Sequence, residues 1–205
     1  MIYDITPQIT EKLAVWPGDT PVSREVLMDI ARGDNITLST LRATVHLGAH
    51  ADGPNHYGKE APPIDKRSLD YYLGPCQVIR VNVPRAMRIP PSVISGKASA
   101  PRVLFATGTY PDPENWNKDF AGFSVELIDS LHEGGVITIG IDTPSVDLFD
   151  SKDLPAHKAI LRHDMSMLEG LVLKDVPEGM YELIALPLPL VGFDASPVRA
   201  ILREL

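Results

Sequence analysis

HLGAHADGPNH, residues 46–56, carries three of the six histidines in a chain of 205 residues. Even usage would place roughly 0.3 histidines in such a window. A helix would set His46 and His50 on one face but turn Asp52 about 240° away from His46. An extended strand points His46, Gly48, His50 and Asp52 the same way. Val45, Leu47, Ala49 and Ala51 then point the other way, and all four are apolar. The strand reading accounts for every residue: an apolar face for the core, and a polar face of two imidazoles and a carboxylate around a glycine. Asp52-Gly53-Pro54 ends the strand in a turn. That turn brings His56 back toward the same space.

Two histidines and an aspartate on one face suit zinc or another divalent transition metal, because neutral imidazole and carboxylate are its usual donors. His56, outside the three-ligand run, suits a general acid and base. An H-x-x-x-H pair alone is a weak signal, and a lone histidine is commonly a surface or core residue. The run H-x-x-x-H-x-D followed by G-P-x-H is far more specific, because ordinary burial leaves the crowding unexplained.

Outward from this stretch, short apolar or alternating runs bounded by Gly or Pro read as strands: CQVIRVNV (76–83), RVLFATG (102–108), GVITIGI (135–141) and YELIALPL (181–188). Helices are expected over SVELIDSLHEGG (124–135), with a Ser cap and a Gly-Gly stop, and over HKAILRHDM (157–165). A third is expected over SPVRAILREL (196–205), where Ser then Pro resembles a helix start. Strands alternating with helices make an α/β fold with a mixed or partly parallel sheet. Further strands near the N-terminus suggest a second layer. The 19 prolines and 15 glycines are spread evenly, which marks one domain over residues 1–205 with no linker.

Composition narrows the function. A net charge of −8, with no Lys/Arg-rich run, disfavours nucleic acid and membrane surfaces as partners. The single cysteine, Cys76, excludes an intrachain disulfide and a thiolate-rich zinc site, and reads as a buried thiol in a reducing compartment. The first ten residues lack the basic and apolar regions of a secretory signal, and no apolar run approaches the roughly 18 residues that span a bilayer. The expected location is the cytoplasm.

The pattern H-x-G-[TA]-H-x-D-x-P-x-H resembles the signature of the metal-dependent cyclase/arylformamidase family, and HLGAHADGPNHY is similar to its bacterial kynurenine formamidase branch. WPGDTP (16–21), LDYYLGPC (69–76), GIDTPSVD (140–147), LPAHKAILRHDMSMLEGLVL (154–173) and YELIALPLPLVGFDASPVRAIL (181–202) resemble that branch in order, so the likeness spans nearly the whole chain. Many family members carry threonine where this chain has Ala49. On the strand reading that position faces the core, so the ligands stay in place.

The resemblance implies a single-domain, layered β/β/α arrangement around a mixed sheet, a cyclase-like swivelling fold. It also implies two zinc ions per subunit, a homodimer, and hydrolysis of N-formyl-L-kynurenine to L-kynurenine and formate. The donor set admits manganese or cobalt as well. Chemistry alone leaves His157 and His163 both open as further ligands, with His132 structural at a helix end. The resemblance selects His157 and Glu169. Twelve residues of unbroken helix would separate these two by about 18 Å, so the chain must bend between them, near HDMS (163–166). His46, His50 and Asp52 would hold one ion, and Asp52, His157 and Glu169 the other. His163 is then a helix-end or supporting residue.

Trp16 either stacks on the aryl ring of a substrate or anchors the N-terminal segment. Thr143, Ser145 and Asp147 follow a strand, where substrate contacts or a capped loop both fit. Three other functions compete. A related hydrolase acting on a cyclic imide, isatin or another aryl formamide would use the same ligands. A structural metal site would normally be closed by four protein ligands, often thiolates. A serine hydrolase of the nucleophile-elbow type is excluded by the absence of G-x-S-x-G.

Overall fold

A computed structural model describes residues 1–94 and 98–205. Among the described residues, eight strands precede the first of two helices, one lies between the helices and four follow, with five single turns of 3-10 helix before the first helix. The strands are β1 (Ile2–Asp4), β2 (Ser23–Met28), β3 (Leu38–Arg42), β4 (His50–Asp52), β5 (Leu73–Arg80), β6 (Arg88–Ile89) and β7 (Arg102–Ala106). They continue with β8 (Gly122–Phe123), β9 (Thr138–Ile141), β10 (Ser166–Glu169), β11 (Gly179–Ile184), β12 (Ala195–Pro197) and β13 (Ile201–Glu204). The helices are α1 (Val125–Glu133) and α2 (Pro155–Arg162).

Nine strands form one mixed sheet in the order β1-β13-β11-β5-β7-β9-β10-β4-β12. Its centre, β5-β7-β9-β10, is parallel. The flanks β11, β13 and β1 on one side, and β4 and β12 on the other, are antiparallel. The fold is therefore α/β with a mixed sheet, and β2 and β3 form a separate two-stranded sheet.

Period-two side-chain direction divides the core. On β7, Val103 and Phe105 join the helix-side cluster with Leu127, Ile128 and Leu131 of α1 and Ala156, Ala159 and Ile160 of α2. Leu104 and Ala106 face the other way. There they meet Ala51 of β4 and Leu168 of β10, and also Leu183 of β11 and Leu202 of β13. Strands from opposite halves of the sheet share that cluster, so the sheet curls around it. Cys76 lies in it as well, fully buried, and burial pushes its thiol up to about 12.

Two features bend the chain toward the site. Gly170 has a positive φ of 65°, and a Cβ there would meet the Gly48 carbonyl oxygen at 2.1 Å. Only glycine permits this approach, which brings the ends of β10 and β4 together. Asp164, with φ 49°, turns the chain from α2 into β10. The bend expected near residues 163–166 is thus present.

Local signals hold where the partners are local. Ser124 caps α1 by accepting from the Leu127 amide at 3.1 Å. α2 starts two residues earlier than the sequence suggests, with Pro155 at its first turn, and stops at Arg162. The helix expected over 196–205 is absent: the segment forms β12 and β13 instead. Val198, Ala200 and Leu202 are buried, a period of two that serves a strand. β13 fills the slot between β1 and β11, and Pro197 is tolerated because β12 is an edge strand. Long-range pairing overrides the local resemblance to a helix start.

Leu202→Ala should therefore destabilise the protein by about 3 kcal/mol, as expected for a fully buried leucine. Arg203→Ala on the solvent side should cost under about 1 kcal/mol. Urea unfolding curves measure both, and equal losses would contradict the placement of β13.

Candidate metal centre

The centre is assembled at the junction of β4, β10 and α2. Antiparallel pairing sets His50 directly opposite Glu169. His50 Nε2 lies 3.2 Å from Glu169 Oε2 and 3.4 Å from Asp52 Oδ1. His46 Nδ1 lies 3.1 Å from Asp52 Oδ1. His157, in the first turn of α2, turns Nε2 toward Asp52 Oδ2 and Glu169 Oε1, each at 3.8 Å. The His56 ring lies 4.3 Å from that of His46 and 6.3 Å from that of His157. All six residues that the sequence singles out as ligands or as the acid–base group are thus brought together.

The backbone that does this differs from a uniform strand. Extended pairing covers only His50–Asp52, and Gly48 takes a positive φ of 55°. His46 reaches the cluster through this bend. Leu47, Ala49 and Ala51 are buried, as the alternation requires, but His50 and Asp52 are buried too. Ala49 faces the core, as expected.

Each of the three inner histidines has its second ring nitrogen held. His50 Nδ1 is 2.9 Å from the Gly48 carbonyl oxygen, His46 Nε2 is 2.9 Å from Asp194 Oδ2, and His157 Nδ1 is 2.8 Å from Asp147 Oδ2. Such partners fix the tautomer and leave the other nitrogen basic and aimed inward. Asp147 also accepts from the amides of Ala156 and His157 and pairs with Arg88 at 2.7 Å. Glu169 Oε1 accepts from the Val146 amide at 2.7 Å.

Asp194 was not singled out by the sequence. Besides His46, its Oδ2 lies 3.4 Å from His56 Nδ1. It precedes β12, whose Ala195 pairs with Asp52, so only that edge pairing brings it to the site. No local pattern in GFDASP announces it. Asp147 belongs to the capped loop of GIDTPSVD and is now seen to position His157. In the same loop, Thr143 Oγ1 donates to the Ser145 carbonyl. His163 caps α2 and pairs with Asp129 at 2.7 Å, stacked on His132, away from the cluster.

Electrostatics match an anionic cage. Burial disfavours the charged imidazole of His46, but the Asp52 carboxylate 3.1 Å away and the hydrogen bond with Asp194 outweigh it and raise it to about 9. Burial opposes protonation of His157 as well, yet Asp147, Glu169 and Asp52 raise it. Asp52 shows the converse: burial favours its neutral form, and the histidines around it hold it well below the usual carboxylate range.

Among the described residues, seven buried polar side-chain atoms lack a hydrogen bond, and three of them are His50 Nε2 and both oxygens of Asp52. A buried carboxylate with neither oxygen bonded costs several kcal/mol unless a cation is supplied. Two donor triads have atoms within 4.8 Å of one another: His46, Asp52 and His56, and His50, Asp52 and Glu169, so His56 stands where a donor could and His157 falls in neither triad, a grouping different from the one the resemblance implies. Asp52 is common to both. The residues present therefore fit divalent metal, with carboxylate and imidazole donors and no thiolate.

The cluster opens into a cavity of about 780 Å³, a size suited to a small molecule. Trp16, Tyr110 and Trp116 line it. Trp16 is stacked on Phe149 at 5.2 Å and meets Trp116 edge-on at 5.3 Å. It is packed against these rings and also lines the cavity.

The Cyclase family model matches residues 3–148. A kynurenine formamidase from Bordetella petrii is 43% identical over all 205 residues, covering 98% of that protein. The chain belongs to the cyclase family. Among solved structures, one described as a potential metal-dependent hydrolase with cyclase activity superposes with a TM-score of 0.85 at 26% identity, covering 98% of this chain and 96% of that one. An isatin hydrolase bound to the product analogue thioisatinate superposes at 0.83 with 19% identity, covering 98% and 91%. At that identity the likeness is one of fold.

Replacing Asp147 by Asn should lower zinc affinity 10- to 100-fold, the usual effect of removing such a support. Competition against a chelating dye measures it, and wild-type affinity in the variant would contradict the positioning role.

Proposed function

We propose that this protein is a kynurenine formamidase that hydrolyses N-formyl-L-kynurenine to L-kynurenine and formate. The observation that carries the reading is the buried cluster around Asp52 opening into an aromatic-lined cavity, in a chain 43% identical end to end to a kynurenine formamidase.

In this reading His46, His50, Asp52, His157 and Glu169 hold two zinc ions, with manganese or cobalt as alternatives from the same donors. When bound, the metal supplies an acidified water and positive charge for the developing oxyanion. Trp16 and its aromatic neighbours form the wall for the aryl ring. His56 is the exposed member of its cluster, so it meets solvent and substrate. Its Nδ1 lies 3.4 Å from Asp194 Oδ2, and in this reading Nε2 carries the proton transfer. At Nε2, His56 takes the proton of the attacking water. It delivers that proton to the anilide nitrogen as the C–N bond breaks, so the aryl amine leaves neutral. This step matters because an aryl amide anion is a poor leaving group.

A homodimer in the cytoplasm is the setting we propose. The exposed apolar side chains of Leu27, Ile30, Leu38 and Leu41 around β2 and β3 support self-association. Among the described residues no helix is long and apolar enough to cross a membrane.

Purified protein with zinc should release kynurenine from N-formyl-L-kynurenine, and chelation should abolish that release. His56→Ala should keep its zinc and lose 100-fold or more in kcat. Full turnover in that variant would remove His56 from the chemistry. No turnover by folded, zinc-loaded wild type would redirect the assignment to cyclic imides, isatin or other aryl amides.

A further inference from the structure

The cavity has a second polar end that the hydrolytic chemistry leaves unused. Arg80 closes β5 and lines the cavity, as does Lys174. The Arg80 guanidinium is fixed on one side only. Its Nη2 donates to the carbonyls of Leu173, Lys174 and Val176 at 3.0, 2.6 and 2.7 Å. Among the described residues, its Nε and Nη1 donate no hydrogen bond, and neither Arg80 nor Lys174 has a carboxylate within ion-pair distance. Arg67, Arg85, Arg88, Arg162, Arg199 and Arg203 are each paired with an acid, whereas among the described residues Arg24, Arg42, Arg80 and Arg102 are not, and of these four Arg80 alone lines this cavity. Arg80 is exposed and lines the cavity, and a guanidinium pinned at one nitrogen by backbone carbonyls, with Nε and Nη1 free of protein acceptors, can receive a planar anion.

The spacing agrees. β5 and β10 are separated by β7 and β9, three steps of about 4.8 Å, or roughly 14 Å between backbones. Glu169 at the metal cluster is joined to Lys174 by a wall of cavity-lining residues, Gly170 to Leu173. Five residues span at most about 17 Å. Side chains reaching in from both ends leave a gap comparable to an aryl ketone that carries a three-carbon amino-acid tail. The aromatic residues flank that path. The cavity also lies beyond the carboxyl ends of parallel strands, the usual place for a ligand in such sheets.

We propose that Arg80, assisted by Lys174, binds the α-carboxylate of the substrate and so sets the distance between the formyl group and the metal cluster. This assignment rests on the aryl-formamide reading above and names its specificity determinant. Arg80 is a binding residue, with no part in proton transfer. Aryl formamides that lack the carboxylate would then bind without register and turn over slowly.

The test is calorimetric binding to zinc-supplemented protein of L-kynurenine and of 2-aminoacetophenone, the same aryl ketone without the amino-acid tail. Arg80→Met should weaken L-kynurenine 10- to 100-fold and leave 2-aminoacetophenone within twofold. Lys174→Met, which removes none of the three hydrogen bonds to the 173–176 backbone, should weaken L-kynurenine alone by a smaller factor. Arg80→Lys should restore part of the loss. Equal loss for both ligands in Arg80→Met would assign Arg80 a purely structural role and overturn the proposal. Wild-type binding that does not distinguish the two ligands would overturn it as well. Selective L-kynurenine binding without cleavage of N-formyl-L-kynurenine would sustain the carboxylate site and count against the proposed reaction alone.

Discussion

A single carboxylate, that of Asp52, is the point on which the site depends. It is buried, ionised and without a hydrogen bond to either oxygen. Left unpaired, such a group would cost several kcal/mol of folding free energy. The chain surrounds it with His46, His50 and His157 rather than with lysine or arginine. Imidazole can give up its proton to make room for a metal ion, which arginine cannot do near neutral pH. The cluster is therefore a set of donors around one carboxylate that a divalent cation can occupy.

The fold maintains this cluster through pairing and through supports. The β4–β10 register sets His50 against Glu169, and the close approach of Gly170 to Gly48 allows the two strands to meet. α2 presents His157 from its first turn, where Asp147 ties the helix amides, the imidazole and Arg88 to one carboxylate. Asp194 reaches His46 and His56 together from the start of β12. Ligand orientation is thus set by residues from four separate segments, which ties metal affinity to the integrity of the sheet.

Much of this was legible in the sequence where cause and effect are close along the chain. The crowding of His46, His50, Asp52 and His56 signalled a converging polar face, and the Ser124 cap and Gly-Gly stop bounded α1. The central strands were readable because both faces are buried, giving the apolar runs of β7 and β9. The failures have one cause. Residues 196–205 look like a helix start, but their conformation is decided by partners roughly 200 residues away in β1, and by β4 and β11. Asp194 was invisible for the same reason, since its role exists only once β12 pairs with β4. His157 and Glu169 emerged from family resemblance, because spacing alone left His163 open.

The central claim is that Asp52 lies between two metal positions. Anomalous diffraction at the zinc absorption edge, from crystals grown with zinc, tests it most directly. The account predicts two peaks flanking the Asp52 carboxylate, with His46, His50, His157 and Glu169 within about 2.3 Å of one or the other. Zinc bound elsewhere, with the Asp52 oxygens outside coordination distance of every peak, would contradict it.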